Sequence, residues 1–235
     1  MRLAWLVLAA GSVGVLPAGQ ASSIDVPVGE LRVHGLDAAD CDIWRTVEHV
    51  ARFSGVRVGF EHARNCAPDG RSRSAAGQVL TMDGWTPRQA FDYVVQQRPA
   101  FSWRLVEDVV VIRPDTAWSE PGNVLDRPVA PFDLRHEPPH LALHALLAAA
   151  RPSLYLDHAD ARTSYASPAP LRAPAVSIDT PIDVRFRGGT LLQALNAVAK
   201  PSGATWELGY WGKPHVALYA PDYDGGMTGL SMRAP

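Results

Sequence analysis

Cysteine is nearly absent from this chain, with two in 235 residues, Cys41 and Cys66. Two thiols cannot close a four-ligand structural zinc site, so a cysteine-built metal module is excluded. An excess of charge of one sign is also lacking. Lys and Arg number 22 against 24 Asp and Glu, a formal net charge of −2, and no basic run or stripe supplies the footprint a nucleic-acid binder needs. Apolar runs are short. The longest, Leu3 to Leu16, falls below the ~20 residues a membrane-spanning helix requires, and no later segment approaches that length. No G-x-S-x-G occurs and neither cysteine sits in the context of a catalytic thiol, so the local signatures of nucleophilic hydrolases are missing. An apolar fraction of 47% with 20% charged residues nevertheless belongs to a folded chain.

The N-terminus, MRLAWLVLAAGSVGVLPAGQASS, has one positive charge at Arg2, the apolar run, and small residues ending in Gly19-Gln20-Ala21. This is the layout of a secretory signal peptide over 1–21, cleaved after Ala21; the alternative is a retained anchor. Export favours disulfides, so a Cys41 to Cys66 bridge is expected, with two buried free thiols as the alternative.

Two stretches repeat one another. GWTPRQAFDYVV and GGTLLQALNAVA share Gly84/Gly188, Thr86/Thr190, Gln89/Gln193, Ala90/Ala194 and Val94/Val198. Thr-x-x-Gln is a capping box, in which the hydroxyl accepts from the backbone N–H three residues on and the Gln side chain reaches back to the Thr N–H. Pro87 suits a first helical position, and the preceding glycine lets a strand turn into the helix. Around these starts the same order of elements is expected twice. A strand at Glu30 to Leu36 leads to a helix with Asp40 as N-cap, Ile43, Val47, Val50 and Ala51 as its stripe, and Gly55 as its stop. VRVGFE and QVLTMDG are strands, and FSWRLVEDVVVIRP is a hairpin turning at Glu107-Asp108. The second round begins at FDLR, continues through a helix striped by Leu143, Leu146, Leu147 and Ala150, the strand SLYLD and the extended VSIDTPIDVRFRG, and closes in the hairpin TWELGYWGKPHVALYAP. The fold class expected is therefore α+β, as two tandem small modules of strand-helix-strand-strand-helix-hairpin. Their bounds are 30–114 and 131–221, with a turn-rich linker at 115–130, a Pro/Ala-rich loop at 159–175 and a flexible tail at 222–235.

This order, with a strand ending in glycine, a T-x-x-x-A-L/F helix and a last strand reading VVVIRP or VALYAP, resembles the short N-terminal domain of secretins and TonB-dependent receptors. The resemblance covers Leu31 to Pro114 and, more loosely, Phe132 to Pro221. It implies a periplasmic location and a non-enzymatic docking role towards another envelope protein, in a context of outer-membrane secretion, transport or signalling. No cofactor, no nucleic acid and no membrane span after signal cleavage are expected.

Candidate site residues are few. In HEPPHLALH, His140 and His144 lie one helical turn apart and His158 could add a third ligand, the basis of an alternative reading as a metal-dependent envelope hydrolase; Leu141 stands where an H-E-x-x-H enzyme carries its glutamate. Trp103 and Trp206 alternate with apolar neighbours and belong to the core. Tyr210 and Trp211, in the hairpin tip GYWGKP, and more weakly Trp85 ahead of a helix, are candidate anchors for a protein partner or, alternatively, for cell-wall glycan. Sequencing of the exported protein is expected to start at Ser22 or a near neighbour; an intact Met1 would overturn the signal-peptide reading.

Overall fold

The computed structural model describes residues 24–29, 32–34, 43–64, 79–151, 155–158, 180–210, 214–221 and 227–233. The signal segment 1–21, Asp40, Cys41, Cys66, the 159–175 loop and Trp211 lie outside the described residues, and His140 and His158 are placed by their backbone alone.

The fold is α+β. In chain order the first half holds β1 (Arg32–His34), α1 (Trp44–Ser54), β2 (Val58–Glu61), β3 (Val79–Thr81), α2 (Pro87–Gln97), β4 (Phe101–Val106) and β5 (Val109–Pro114). Two short 3-10 helices, Asp115–Trp118 and Val124–Asp126, lead to β6 (Pro128–Val129). The second half holds β7 (Phe132–Glu137), α3 (Pro139–Ala149), β8 (Tyr155–His158), β9 (Ile182–Phe186), β10 (Gly189–Thr190), α4 (Leu191–Ser202), β11 (Thr205–Gly209), β12 (His215–Pro221) and β13 (Met227–Arg233).

The repeated residues do the same work in both halves. Thr86 accepts from Gln89 N–H at 3.2 Å while Gln89 Oε1 accepts from Thr86 N–H at 2.9 Å; the Thr190–Gln193 box closes at 3.3 and 3.0 Å. Gly84 and Gly188 sit at φ 74° and 96°, where a Cβ is strained. The repeat extends one contact further than its identities suggest. The indole N–H of Trp103 donates to Asp92 at 2.9 Å, and that of Trp206 donates to Asn196, at the matching helix position, also at 2.9 Å. Helices α1 and α4 also end alike. Ser54 and Ser202 each donate back to the carbonyl four residues earlier, at 2.6 and 2.8 Å, and Gly55 and Gly203 take left-handed φ values of 69° and 64°. Glu107 and Asp108, both at positive φ, make the two-residue turn of the β4–β5 hairpin.

One seven-stranded sheet, ordered β4-β5-β2-β11-β12-β13-β8, takes strands from both halves. Its centre is parallel: β2 pairs with β5 on one side and β11 on the other. The period of two sends alternate residues to opposite faces. Val58, Phe60, Val110 and Ile112 pack with Ile43, just before α1, and with Val47 and Val50 of α1 and Phe91 and Val94 of α2. Val109, Val111, Trp206 and Leu208 pack with α3 and α4 through Leu143, Leu146, Leu191, Leu195 and Val198. On that second face Gly59 makes the crossing possible, since a Cβ there would run into Cζ2 and Cε2 of the fully buried Trp206 indole.

Two stretches differ from their sequence expectation. Within 115–130, expected as linker, Ala117, Val124, Leu125 and Val129 are buried, and Asn123 caps the second 3-10 helix by accepting from Leu125 N–H at 2.8 Å. Single apolar residues spaced by turn formers carry no period, so the pattern by itself reads as loop. In the expected tail 222–235, β13 pairs along its length with β12. Its sequence MTGLSMR has no β-branched run, and the pairing is made by backbone groups. The expected N-cap Asp40 falls outside the described residues; the described helix begins at Trp44 behind Ile43, which makes no side-chain cap.

Gly59→Ala is expected to lower unfolding free energy in urea by about 3 kcal/mol or more, the upper end for overpacking, because the indole opposite is rigid. Adding Trp206→Leu should recover part of that loss. Unchanged stability of the single variant would refute the close crossing.

Candidate functional site

The C-terminal ends of β5, β2 and β11 bring four residues together that are far apart in sequence. Glu61 ends β2 and is 1% exposed; Arg113, near the end of β5, is 2% exposed. Arg113 Nε donates to Glu61 Oε2 at 2.5 Å and its Nη2 to the carbonyl of Ala117 at 2.8 Å. Asn123 Nδ2 donates to Glu61 Oε1 at 2.8 Å, and the Tyr210 hydroxyl donates to the same oxygen. A buried carboxylate is costly unless paired and fully hydrogen-bonded, and here one cation and two neutral donors supply that. Around this centre Arg64 lies 5.0 Å over the Tyr210 ring and pairs with Glu120 at 2.9 Å. Trp118 is held between the guanidinium groups of Arg104 and Arg113, at 4.2 and 4.9 Å. On the opposite face of the same seam His62 Nε2 meets Glu207 Oε2 at 3.2 Å, both side chains buried.

This network holds β2, β5 and β11 together. The Glu61 oxygens are already occupied by three donors. Tyr210, expected in a hairpin tip either as an anchor or packed against the neighbouring half, turns its hydroxyl inward because the strand end of β11 lies against β2. Burial first, then the Glu61 charge, pushes its phenol up from the ordinary value, against a smaller opposing effect of Arg64. The network was missed in sequence reading, although a signal existed: VRVGFE and VVVIRP each place one charge at the end of a buried strand, and a lone charge in such a place needs a partner.

The second arrangement is a groove of about 250 Å³ on the outer face of α2, lined by Trp85, Gln89, Asp92, Tyr93 and Gln96. Trp85 and Tyr93 meet edge to face, 5.6 Å between centroids. Trp85 is fixed by its backbone, its N–H donating to Met82 at 3.2 Å and its carbonyl accepting from Val28 at 3.0 Å. Of the three expected anchors, then, Trp85 lines a groove, Tyr210 joins the buried network, and Trp211 lies outside the described residues.

The third is an edge. Strand β4 pairs with β5 on one side and with no other strand among the described residues, and Leu105 on it is 50% exposed.

Of the three candidate metal histidines, only His144 has a described side chain. His136 is exposed at a bulge of β7, at φ 55°, with its N–H donating to Asp183 Oδ1 at 2.7 Å. His144 is exposed on α3. No group of three metal-ligating side chains occurs among the described residues. No helix among the described residues is long and apolar enough to cross a membrane. Comparison of the chain with protein-family models, with curated proteins and with solved structures finds no match.

The raised phenol of Tyr210 has a defined consequence. The folded state keeps the proton where the unfolded state loses it, so this contribution is complete below about pH 10, the ordinary phenol value, and falls as pH rises beyond it. Tyr210→Phe is expected to cost about 1.5–3 kcal/mol near neutral pH, the range for a hydrogen bond to a charged group. Between about pH 10 and 11 the gap between wild type and variant should narrow by up to ~1.4 kcal/mol. Denaturant titration across that interval reads both; a gap independent of pH would refute the hydroxyl's placement.

Proposed function

We propose that this protein is an exported, non-enzymatic docking module of the bacterial cell envelope that captures an extended segment of another envelope protein along β4. The observation that carries the reading is the open edge of that strand. The two-residue turn at Glu107-Asp108 makes Val106 and Val109 a hydrogen-bonded pair, and such pairs alternate with non-bonded ones along an antiparallel hairpin. Counting back, the N–H and C=O groups of Leu105 and Trp103 point away from β5. Phe101, next in the series, supports the count, since its N–H is taken by the carbonyl of Arg98 at 2.9 Å. An extended peptide laid along this edge would gain main-chain bonds from Leu105 and Trp103, while the exposed Leu105 side chain offers apolar contact. Export and envelope location rest on the N-terminal pattern and on the resemblance to the secretin and TonB-receptor short domain.

Leu105→Pro removes an outward-facing N–H without taking a bond from the β4–β5 ladder, a change an edge strand tolerates. A photocrosslinking residue in place of the exposed Arg104 should, in intact cells, give a discrete protein adduct that Leu105→Pro abolishes at unchanged melting temperature. An adduct that persists in the proline variant, or no protein adduct at all, would overturn the docking reading.

A further inference from the structure

Because the chain carries the same capped helix twice, its second copy shows what the first needs for folding alone. At the positions of Trp85 and Tyr93 the second copy has Gly189 and Ala197, so neither aromatic is required to build a helix of this kind. The outer polar positions differ in another way. In the second copy the hairpin turn supplies oxygen partners: Gln193 Nε2 donates to Glu107 Oε1 at 3.5 Å, and Lys200 pairs with Asp108 at 3.8 Å. The matching residues in the first copy, Gln89 and Gln96, have no such partner among the described residues.

Two polar groups of the α2 groove are also held in place by bonds the fold makes anyway. Gln89 Oε1 is held by the capping box, which turns its amide NH2 outward, and Asp92 Oδ1 is held by Trp103 Nε1, which leaves Oδ2 as an acceptor. The groove thus presents an oriented donor, an oriented acceptor and a second amide at Gln96, beside an aromatic corner made by Trp85 and Tyr93. A rigid aromatic wall next to fixed polar groups is the make-up of a small-ligand site, although this one, at about 250 Å³, is below the size that takes drug-like molecules. Asp92 is the one charged group lining it, which disfavours anions.

From this we infer that the outer face of α2 is a binding site for a neutral carbohydrate. One pyranose ring packs its C–H face on the Trp85–Tyr93 corner. Its hydroxyls, donor and acceptor at once, take the Gln89 amide, Asp92 Oδ2 and Gln96. The site is separate from the β4 edge, so it stands or falls independently of the docking reading.

The test uses the full chain and two probes, the β-1,4-linked tetramer of N-acetylglucosamine and maltotetraose, followed by NMR at the Trp85 indole N–H. Saturable shifts are expected for at least one probe, with Kd at or below about 1 mM, an affinity of roughly 4 kcal/mol. Tyr93→Ala copies Ala197 of the second helix and should leave the fold intact. It should weaken binding at least tenfold, about 1.4 kcal/mol, as should Gln96→Ala. Lys200→Ala, at the position of the second copy that matches Gln96, should change nothing. No saturation with either probe, or equal affinity in Tyr93→Ala, would overturn the site.

Discussion

The indole of Trp206 occupies the space that a side chain at residue 59 would fill, and the arrangement of the two halves depends on that contact. Gly59 lies on β2, in the first half, and Trp206 on β11, in the second, with the two residues paired in the parallel register. Removing the Cβ from one strand lets the largest side chain of its neighbour lie flat across it, burying the ring completely. The ring is then tied at its edge, because its N–H donates to Asn196 and the Asn196 amide donates in turn to the carbonyl of Val106 at 3.1 Å. One aromatic ring thereby connects α4, β11, β2 and the β4–β5 hairpin.

The polar pairs at the same seam follow from that burial. Once β2 lies between β5 and β11, Glu61 and His62, at and just beyond its end, are enclosed on opposite faces. Each finds its partner on a neighbouring strand, Arg113 on β5 and Glu207 on β11. Taking one partner of the Arg113–Glu61 pair away would strand a buried charge, a loss of about 3–5 kcal/mol, whereas replacing both by well-packed apolar groups is often neutral. Such pairs are better understood as fixing the register of strands from separate halves than as a source of net stability. The Asn123 and Tyr210 contacts to Glu61 extend this to the segment after β5 and to the end of β11.

Internal repetition separates architecture from function within a single chain. Capping threonine and glutamine, the left-handed glycine, and the helix side chain that receives an indole N–H recur in both copies and are explained by local geometry. The aromatic pair Trp85 and Tyr93 occurs once, packed in part against the first core and lining the α2 groove. Leu105 likewise stands out as an exposed apolar residue on an edge strand, where proteins commonly place charge or proline.

What the sequence by itself determined was local. Both capping boxes, the glycine stop of α1, the Glu107-Asp108 turn, and the stripes Ile43-Val47-Val50-Ala51 and Leu143-Leu146-Leu147-Ala150 were legible, because each depends on residues within one or two turns of one another. The burial of Trp206 was legible from alternation. Only the tertiary structure decided which strands meet. Parallel pairing of β2 with β5 and β11 joins residues about 50 and 150 positions apart, and such pairing leaves no periodic trace in either partner. For the same reason the sequence left open whether Tyr210 is an exposed anchor or packs on the other half, and the 115–130 stretch reads as linker and Met227–Arg233 as tail. Their environments are made by backbone pairing and by side chains from the other half of the chain, which no window of sequence contains.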